Sequence, residues 1–517
     1  MTESATAPLP APSPTAPASS QSLYCQYRPG WTPAAPFIET PEGRRWTYAD
    51  LDAVTAGLSR RLRGLGLARG DRLFCCVDRS PWAVFLYLAC LRAGVAFVPF
   101  GPRAKEAEFA PVLADLDPQA IVCAPQLAGL LGRLAPGVRL LTLNEAGEGS
   151  LAALPEADLA PDAHVRPEDP AAIMFTSGTT GRPKGAVMPH GLFVFKGRAL
   201  AQALGWSQAD RLLHVMPLYH AHGLFMTLHA LLAAGACAVL AGRFDAAEAV
   251  RLLPRATVFS GVPTMYGRML AVPGLRECSR AMRLFVSASA ALPPDVFHRF
   301  KAATGHEIAE GWGMSETTSN TMNPLHGVRK PGSAGLPLPG IDIRVLGPDD
   351  RELGRNETGV LALRLPMHFL GYWRRPAEDQ PRYVRGLQVT GDLGWFDDDG
   401  YLHVAGRTSD VIITGGYNVY PREVEQALEQ VDGVEKAAVF GLPHPDYGEA
   451  VAAEVVLRPG GAGDAQSIAG ELKARLAGYK VPKALFVVDA FPLTELGKVQ
   501  RGALAQRHAG HFLGSER

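Results

Sequence analysis

The chain has 517 residues, 47% apolar and 20% charged, with Lys+Arg and Asp+Glu both at 51. That length suits two or three domains, and the balanced charge argues against a nucleic-acid or anionic-membrane partner held by a global field. An anionic ligand has to be met by charges placed locally.

Residues 1–20 are mostly Ala, Pro, Ser and Thr with a single charge, Glu3, which fits a disordered tail and not a signal peptide. A strand at 45–47 leads into helical periodicity over 47–65. Strands are expected at 71–77 and 96–99, with a helix over 81–94 between them, and the same short apolar pattern returns at 120–123, 140–143, 236–240 and 257–260. Strands alternating with helices predict α/β layers built on parallel sheets. Gly64-Leu-Gly66 imitates a dinucleotide loop, but it follows a helix and its third glycine, Gly70, comes one residue late. The apolar run 224–242 contains His229 and reads as a buried helix running into a buried strand, so no membrane span is expected. From 340 to 407 short alternating strands predict a small β-barrel or sheet. Beyond it, helices at 424–430 and 467–476 and strands at 434–440, 452–457 and 484–488 predict a separate α+β lid. The expected division is therefore a tail over 1–20, a large domain over 21–408 and a mobile domain over 409–517.

The seven cysteines are odd in number, lie mostly in apolar runs and show no zinc spacing. They read as small buried hydrophobes of a cytoplasmic protein.

Chemistry concentrates in Ile173-Met-Phe-Thr-Ser-Gly-Thr-Thr-Gly-Arg-Pro-Lys-Gly-Ala-Val187. An apolar strand passes into hydroxyls and glycines and meets Lys184. Glycines let backbone N–H groups close on an oxyanion, hydroxyls add donors, and the lysine adds charge. The loop is not of the Walker A type, because Pro183 stands where the second glycine of that motif is required. Five further segments follow it: Met216-Pro-Leu-Tyr-His-Ala-His-Gly223, Gly311-Trp-Gly-Met-Ser-Glu-Thr317, Thr390-Gly-Asp392 with Gly406-Arg-Thr-Ser-Asp410, Thr414-Gly-Gly-Tyr-Asn-Val-Tyr-Pro421, and Pro492-Leu-Thr-Glu-Leu-Gly-Lys498.

In order and spacing these segments resemble the acyl-adenylate-forming enzymes, in particular their acyl-CoA synthetase branch, over almost the whole chain. The resemblance implies an AMP-forming ligase that uses ATP, Mg²⁺ and coenzyme A on a small carboxylic acid, as a monomer or homodimer. It places Thr176, Ser177, Gly178, Thr179, Thr180, Gly181 and Lys184 around the triphosphate. Trp312, where the family usually has tyrosine, would stack on adenine, and Ser315 would reach the α-phosphate. Glu316, with Thr176, would hold Mg²⁺, which needs few carboxylates when phosphate oxygens and waters complete its shell. Asp392 and Arg407 would hold the ribose, and His220 and His222 would stand at the carboxylate and the pocket wall. Gly415, Gly416 and Tyr417 would line the thiol tunnel. The family's hinge falls at Ser409, where aspartate or lysine is commoner. Lys498 would neutralise charge between the attacking carboxylate and the α-phosphate. Read without the resemblance, Ser315 also suits a helix N-cap, and each histidine or lysine suits an ordinary core or surface role.

Within the branch the pattern is most similar to malonyl-CoA synthetases. A dicarboxylate needs a cation for its far end; Arg268, Arg243 and Arg283 are the candidates, in that order. The same enzymes carry methionine where this chain has Ser319, and that exchange widens the pocket toward substituted malonates, or toward a medium-chain or aryl monocarboxylic acid. No carrier-protein segment is visible, so free coenzyme A is the expected acceptor. A nucleotide-binding homologue without catalysis is the reading outside the enzyme class.

Overall fold

The computed structural model describes residues 20–176, 183–377, 380–458, 464–493 and 499–512. Two large sheets carry most of it. One has six strands in the order Arg139–Thr142, Ala120–Cys123, Arg72–Cys76, Ala96–Pro99, Pro170–Thr176, Lys184–Pro189, all parallel except the last. The other has seven, Ile308–Glu310, Leu284–Ser287, Val258–Gly261, Arg211–His214, Cys237–Leu240, Pro36–Glu39 and Arg45–Thr47, of which only the last pair is antiparallel. The apolar runs of four or five residues form fully buried strands because helices cover both faces of a parallel sheet.

Local signals set the helix ends. Thr47 accepts from the Asp50 N–H while Asp50 accepts from the Thr47 N–H, a capping box that starts helix Tyr48–Gly64. Helix Pro81–Ala93 begins with proline after Ser80 and stops at Gly94, whose φ of 71° suits glycine. The run 224–242 resolves into a π-helix His222–Thr227, a helix Leu228–Ala234 and the strand Cys237–Leu240, as the expectation of a buried helix and strand requires. Among the described residues no helix is long and apolar enough to cross a membrane.

The stretch expected to be a barrel or sheet is a five-stranded antiparallel sheet: Asp342–Leu346, Gly359–Arg364, Leu387–Phe396 and Tyr383–Val384, with Leu402–Arg407 on the long strand. A 3-10 turn, Thr408–Asp410, leads from it to a last sheet of Ile412–Thr414, Tyr417–Val419, Val434–His444, Gly448–Leu457 and Ala484–Val487, packed by helices Pro421–Glu429, Ala465–Leu472 and Arg501–Arg507. The seven cysteines are free thiols, five of them buried.

Candidate active site

Lys184 opens the antiparallel strand that closes the six-stranded sheet, opposite Thr176 in the register. Residues 371–373 lie along this strand. The Val187 N–H donates to the Gly371 carbonyl, and the Trp373 N–H to that of Gly185, at 3.0 and 2.8 Å. Their docking puts the Tyr372 ring 5.7 Å from the Lys184 ammonium. The Tyr372 hydroxyl then donates to Oε1 of Glu316 at 2.7 Å, and burial plus that carboxylate push the phenol pKa far up. Tyr372 thus joins the lysine expected at the triphosphate to the carboxylate expected at the metal. Sequence reading missed it, and its only signal was an aromatic pair after a glycine.

Glu316 is 8% exposed in the tight turn between strands Gly313–Met314 and Thr318–Ser319. This corrects the N-cap reading of Ser315: the segment is a β-hairpin and no helix begins there. A Cβ on Gly313 would stand 2.1 Å from the Thr318 carbonyl oxygen, so the close pairing that holds the turn needs glycine.

The Trp312 indole N–H donates to Oδ2 of Asp392 at 2.7 Å. The other oxygen of Asp392 faces Arg407 Nε at 3.3 Å, and the two residues are register partners on neighbouring strands. Asp392 is 7% exposed, and its main-chain N–H donates to Thr390 Oγ1 at 3.1 Å. Its carboxylate is therefore oriented by one donor on each oxygen, with lone pairs left for hydroxyl groups.

His222 starts the π-helix, a geometry that recurs at functional sites. Its Nε2 lies 2.7 Å from Ser260 Oγ and its Nδ1 3.1 Å from Ser289 Oγ. Burial, helped by the neighbouring His220, pushes its pKa down to about 3, so it is neutral at physiological pH. Ser289 has φ of 73°, an uncommon conformation for a non-glycine residue. His220 is half-buried beside the Tyr219 ring.

The three arginines separate clearly. Arg283 is a fold residue: Nε and Nη2 bind the two oxygens of buried Asp210 at 2.6 and 2.8 Å, and Nη1 and Nη2 also reach the Leu204 and Gly205 carbonyls. With its donors so committed it is withdrawn as a substrate ligand. Arg268 and Arg243 are exposed, on helix Pro263–Met269 and in the turn after strand Cys237–Leu240. Ser319 is buried.

In the last sheet Gly415 and Gly416, at φ of 56° and 84°, make the two-residue turn between Thr414 and Tyr417. Tyr417 is 58% exposed and stacks on Tyr479 at 4.6 Å. Ser409 lies exposed in the 3-10 turn and its hydroxyl donates to Asp410. Ser177, Gly178, Thr179, Thr180 and Gly181 lie outside the described residues, as does Lys498, whose flanks Leu493 and Val499 bridge in antiparallel fashion.

Residues 26–373 match the family described as AMP-binding enzyme, and residues 423–498 match the AMP-binding enzyme C-terminal domain. The chain belongs to the AMP-binding enzyme family. A feruloyl-CoA synthase of Amycolatopsis sp is 35% identical over 470 residues, covering 90% of this chain and 94% of that protein. A mitochondrial malonate–CoA ligase of Xenopus laevis is 32% identical, covering 83% and 82%. ATP-bound MatB from Rhodopseudomonas palustris superposes with a TM-score of 0.92 at 36% identity, over 95% of this chain and all of that one. The protein is an AMP-forming acid–CoA ligase that uses ATP and coenzyme A.

Three outcomes follow from this geometry. Trp312→Phe keeps an aromatic face and removes the N–H, so KM for ATP should rise roughly tenfold with kcat little changed; steady-state kinetics in ATP check it, and an unchanged KM would mean that the bond to Asp392 has no part in nucleotide binding. Arg283→Leu strands the buried Asp210 and should cost about 3 kcal/mol in thermal or urea unfolding, with KM for the acid unaltered in the folded protein. Glu310 ends strand Ile308–Glu310, just before Gly311-Trp312; it accepts from the Leu292 N–H at 2.8 Å, its other oxygen is unbonded, and burial pushes its pKa up to about 8. From the ordinary carboxylate range up to that value the folded protein keeps a proton that the unfolded chain has released, so stability falls as pH rises through this window. The melting temperature of Glu310→Gln relative to wild type should therefore climb between pH 5 and pH 8 in a thermal-shift series; a constant difference contradicts the assignment.

Proposed function

We propose that this ligase activates malonate or a small substituted malonate, through an enzyme-bound acyl-adenylate, for transfer to coenzyme A. The observation that carries the adenylation half is the convergence of Lys184, Tyr372 and Glu316, three segments distant in sequence, beside the pair Trp312–Asp392. The malonate part is supported by the relatives named as malonate–CoA ligases and by the MatB structure.

In the first half-reaction a carboxylate oxygen of the acid attacks the α-phosphorus of ATP in line; the bond to the β-phosphate oxygen breaks and pyrophosphate leaves. Lys184 and residues 176–181 hold the β- and γ-phosphates, Ser315 meets the α-phosphate, Asp392 and Arg407 hold the ribose, and Trp312 covers adenine. Glu316, with Tyr372 on one oxygen, keeps the other for a hard cation beside Thr176, and that donor chemistry fits Mg²⁺. A cation bound there supplies charge neutralisation on the phosphates. His220 and His222, neutral in its serine cage, shape the carboxylate end of the pocket. Lys498 lowers the repulsion between the two anions. In the second half-reaction the thiolate of coenzyme A attacks the acyl carbon and AMP leaves, with its phosphate taking the electron pair. Residues 409–517 turn about Ser409 between the two steps, exchanging Lys498 for the Gly415–Gly416–Tyr417 turn.

A second reading, an aryl or medium-chain monocarboxylic acid, is favoured by the feruloyl-CoA synthase relatives and by the small Ser319. AMP release with coenzyme A across malonate, methylmalonate, acetate, octanoate and benzoate separates the two: turnover confined to monocarboxylates removes malonate. Lys498→Ala should abolish adenylation yet transfer acyl groups from supplied acyl-AMP at near the wild-type rate, whereas equal loss of both half-reactions would sink the domain exchange.

A further inference from the structure

One buried lysine stands on the acid side of the site without a role in the scheme above. Lys196 lies in the middle of helix His190–Ala203 and is 3% exposed. Its ammonium donates to the Ser319 carbonyl oxygen at 2.9 Å and to Asn320 Oδ1 at 2.7 Å. The Asn320 amide is fixed in that sense by a second bond, Nδ2 to Thr317 Oγ1 at 2.9 Å. Both acceptors are neutral, and no carboxylate among the described residues pairs with the lysine. Burial accordingly pushes its pKa well below the usual lysine range.

An amine kept among neutral dipoles is costly to charge. A lysine has three donors, and two are accounted for. Its placement says where the third can act. Ser319 and Asn320 belong to the short segment that carries Glu316, and both this segment and helix His190–Ala203 pack on the π-helix of His222. Lys196 is thereby bonded to the segment that carries Glu316 and Ser319, where that segment packs on the helix of His222. By contrast Arg268 and Arg243 are exposed, and a water-screened guanidinium discriminates weakly between acids.

We propose that Lys196 anchors the far end of the acid and selects carboxylic acids bearing a second oxygen acceptor, an acid group or a phenolic oxygen, distal to the carboxylate that is adenylated. The proposal rests on the reading of this site as the acid-activating centre and adds the residue and the substrate class. An acid group at that end turns a strained buried amine into a charge-assisted pair, and an acid without an acceptor leaves the amine buried and unmatched.

The experiment compares kcat/KM for acid-dependent pyrophosphate release by wild type, Lys196→Met and Arg268→Leu. It uses two matched pairs, malonate with propanoate and 4-hydroxycinnamate with cinnamate. Wild type should favour the acceptor-bearing acid of one pair, and the pair that responds identifies the acceptor. Lys196→Met should lower kcat/KM for that acid roughly a hundredfold, through its KM, while its partner changes less than about threefold. KM for ATP should not move. Equal losses on both members of a pair, a preference that survives Lys196→Met, a preference removed by Arg268→Leu alone, or a wild type that favours neither acceptor-bearing acid overturns the proposal. Malonate turnover that survives Lys196→Met removes the anchor and leaves the malonate reading standing. Lysine-dependent turnover of 4-hydroxycinnamate without malonate turnover does the reverse. Should Lys196→Met fail to fold, Lys196→Gln keeps a donor for Asn320 without the charge and is judged by the same criteria.

Discussion

The hydrogen bond from Tyr372 to Glu316 is the contact around which the site is built. A chain with no net charge has to hold a triphosphate and bring a second anion against it, so a few charges must be placed rather than many accumulated. The phenol fixes one oxygen of Glu316 and leaves the other for a cation, while its ring faces the Lys184 ammonium. The segment carrying Tyr372 is in turn locked to the edge strand by main-chain bonds. Sheet, turn and hairpin thereby share one geometry, set before any nucleotide arrives.

Ion pairs hold the helices of the last unit to one another and to the 3-10 turn that precedes it. Arg501 reaches Asp410 in the 3-10 turn at 3.5 Å and Glu425 at 2.6 Å. Arg422, on the helix that follows the Gly415–Gly416 turn, pairs with Glu429 and Glu425, and its charge reaches Glu310 at the end of strand Ile308–Glu310. The charge of Arg422 can be withdrawn from Glu310 without exposing an apolar core, which is what an exchange between two arrangements of a lid requires.

Much of this was legible in the sequence. Strands 45–47, 96–99 and 120–123 match residue for residue, the last two because continuous apolar runs between turn residues have few other uses. Asp392 and Arg407, both expected at the ribose from the resemblance, prove to be register partners on neighbouring antiparallel strands. What stayed hidden was contact at long range. Trp312 meets Asp392 across 80 positions and Lys196 meets Asn320 across 124; no local pattern encodes either. Arg283 was misread because an arginine after a turn gives no sign of its counter-ion, and Asp210 is 73 positions away. The alternative reading of Ser315 as a helix cap failed because a Ser-x-Thr turn looks the same before a helix and inside a hairpin.

The central claim is that the acid, before any thiol acts, is joined to AMP at a centre containing Glu316 and Lys184. Isotope exchange between labelled pyrophosphate and ATP, run without coenzyme A and with each acid in turn, measures that step alone. Exchange that requires the acid and is lost in Glu316→Gln is the result this account predicts; no exchange with any acid, or exchange equally fast without one, would contradict it.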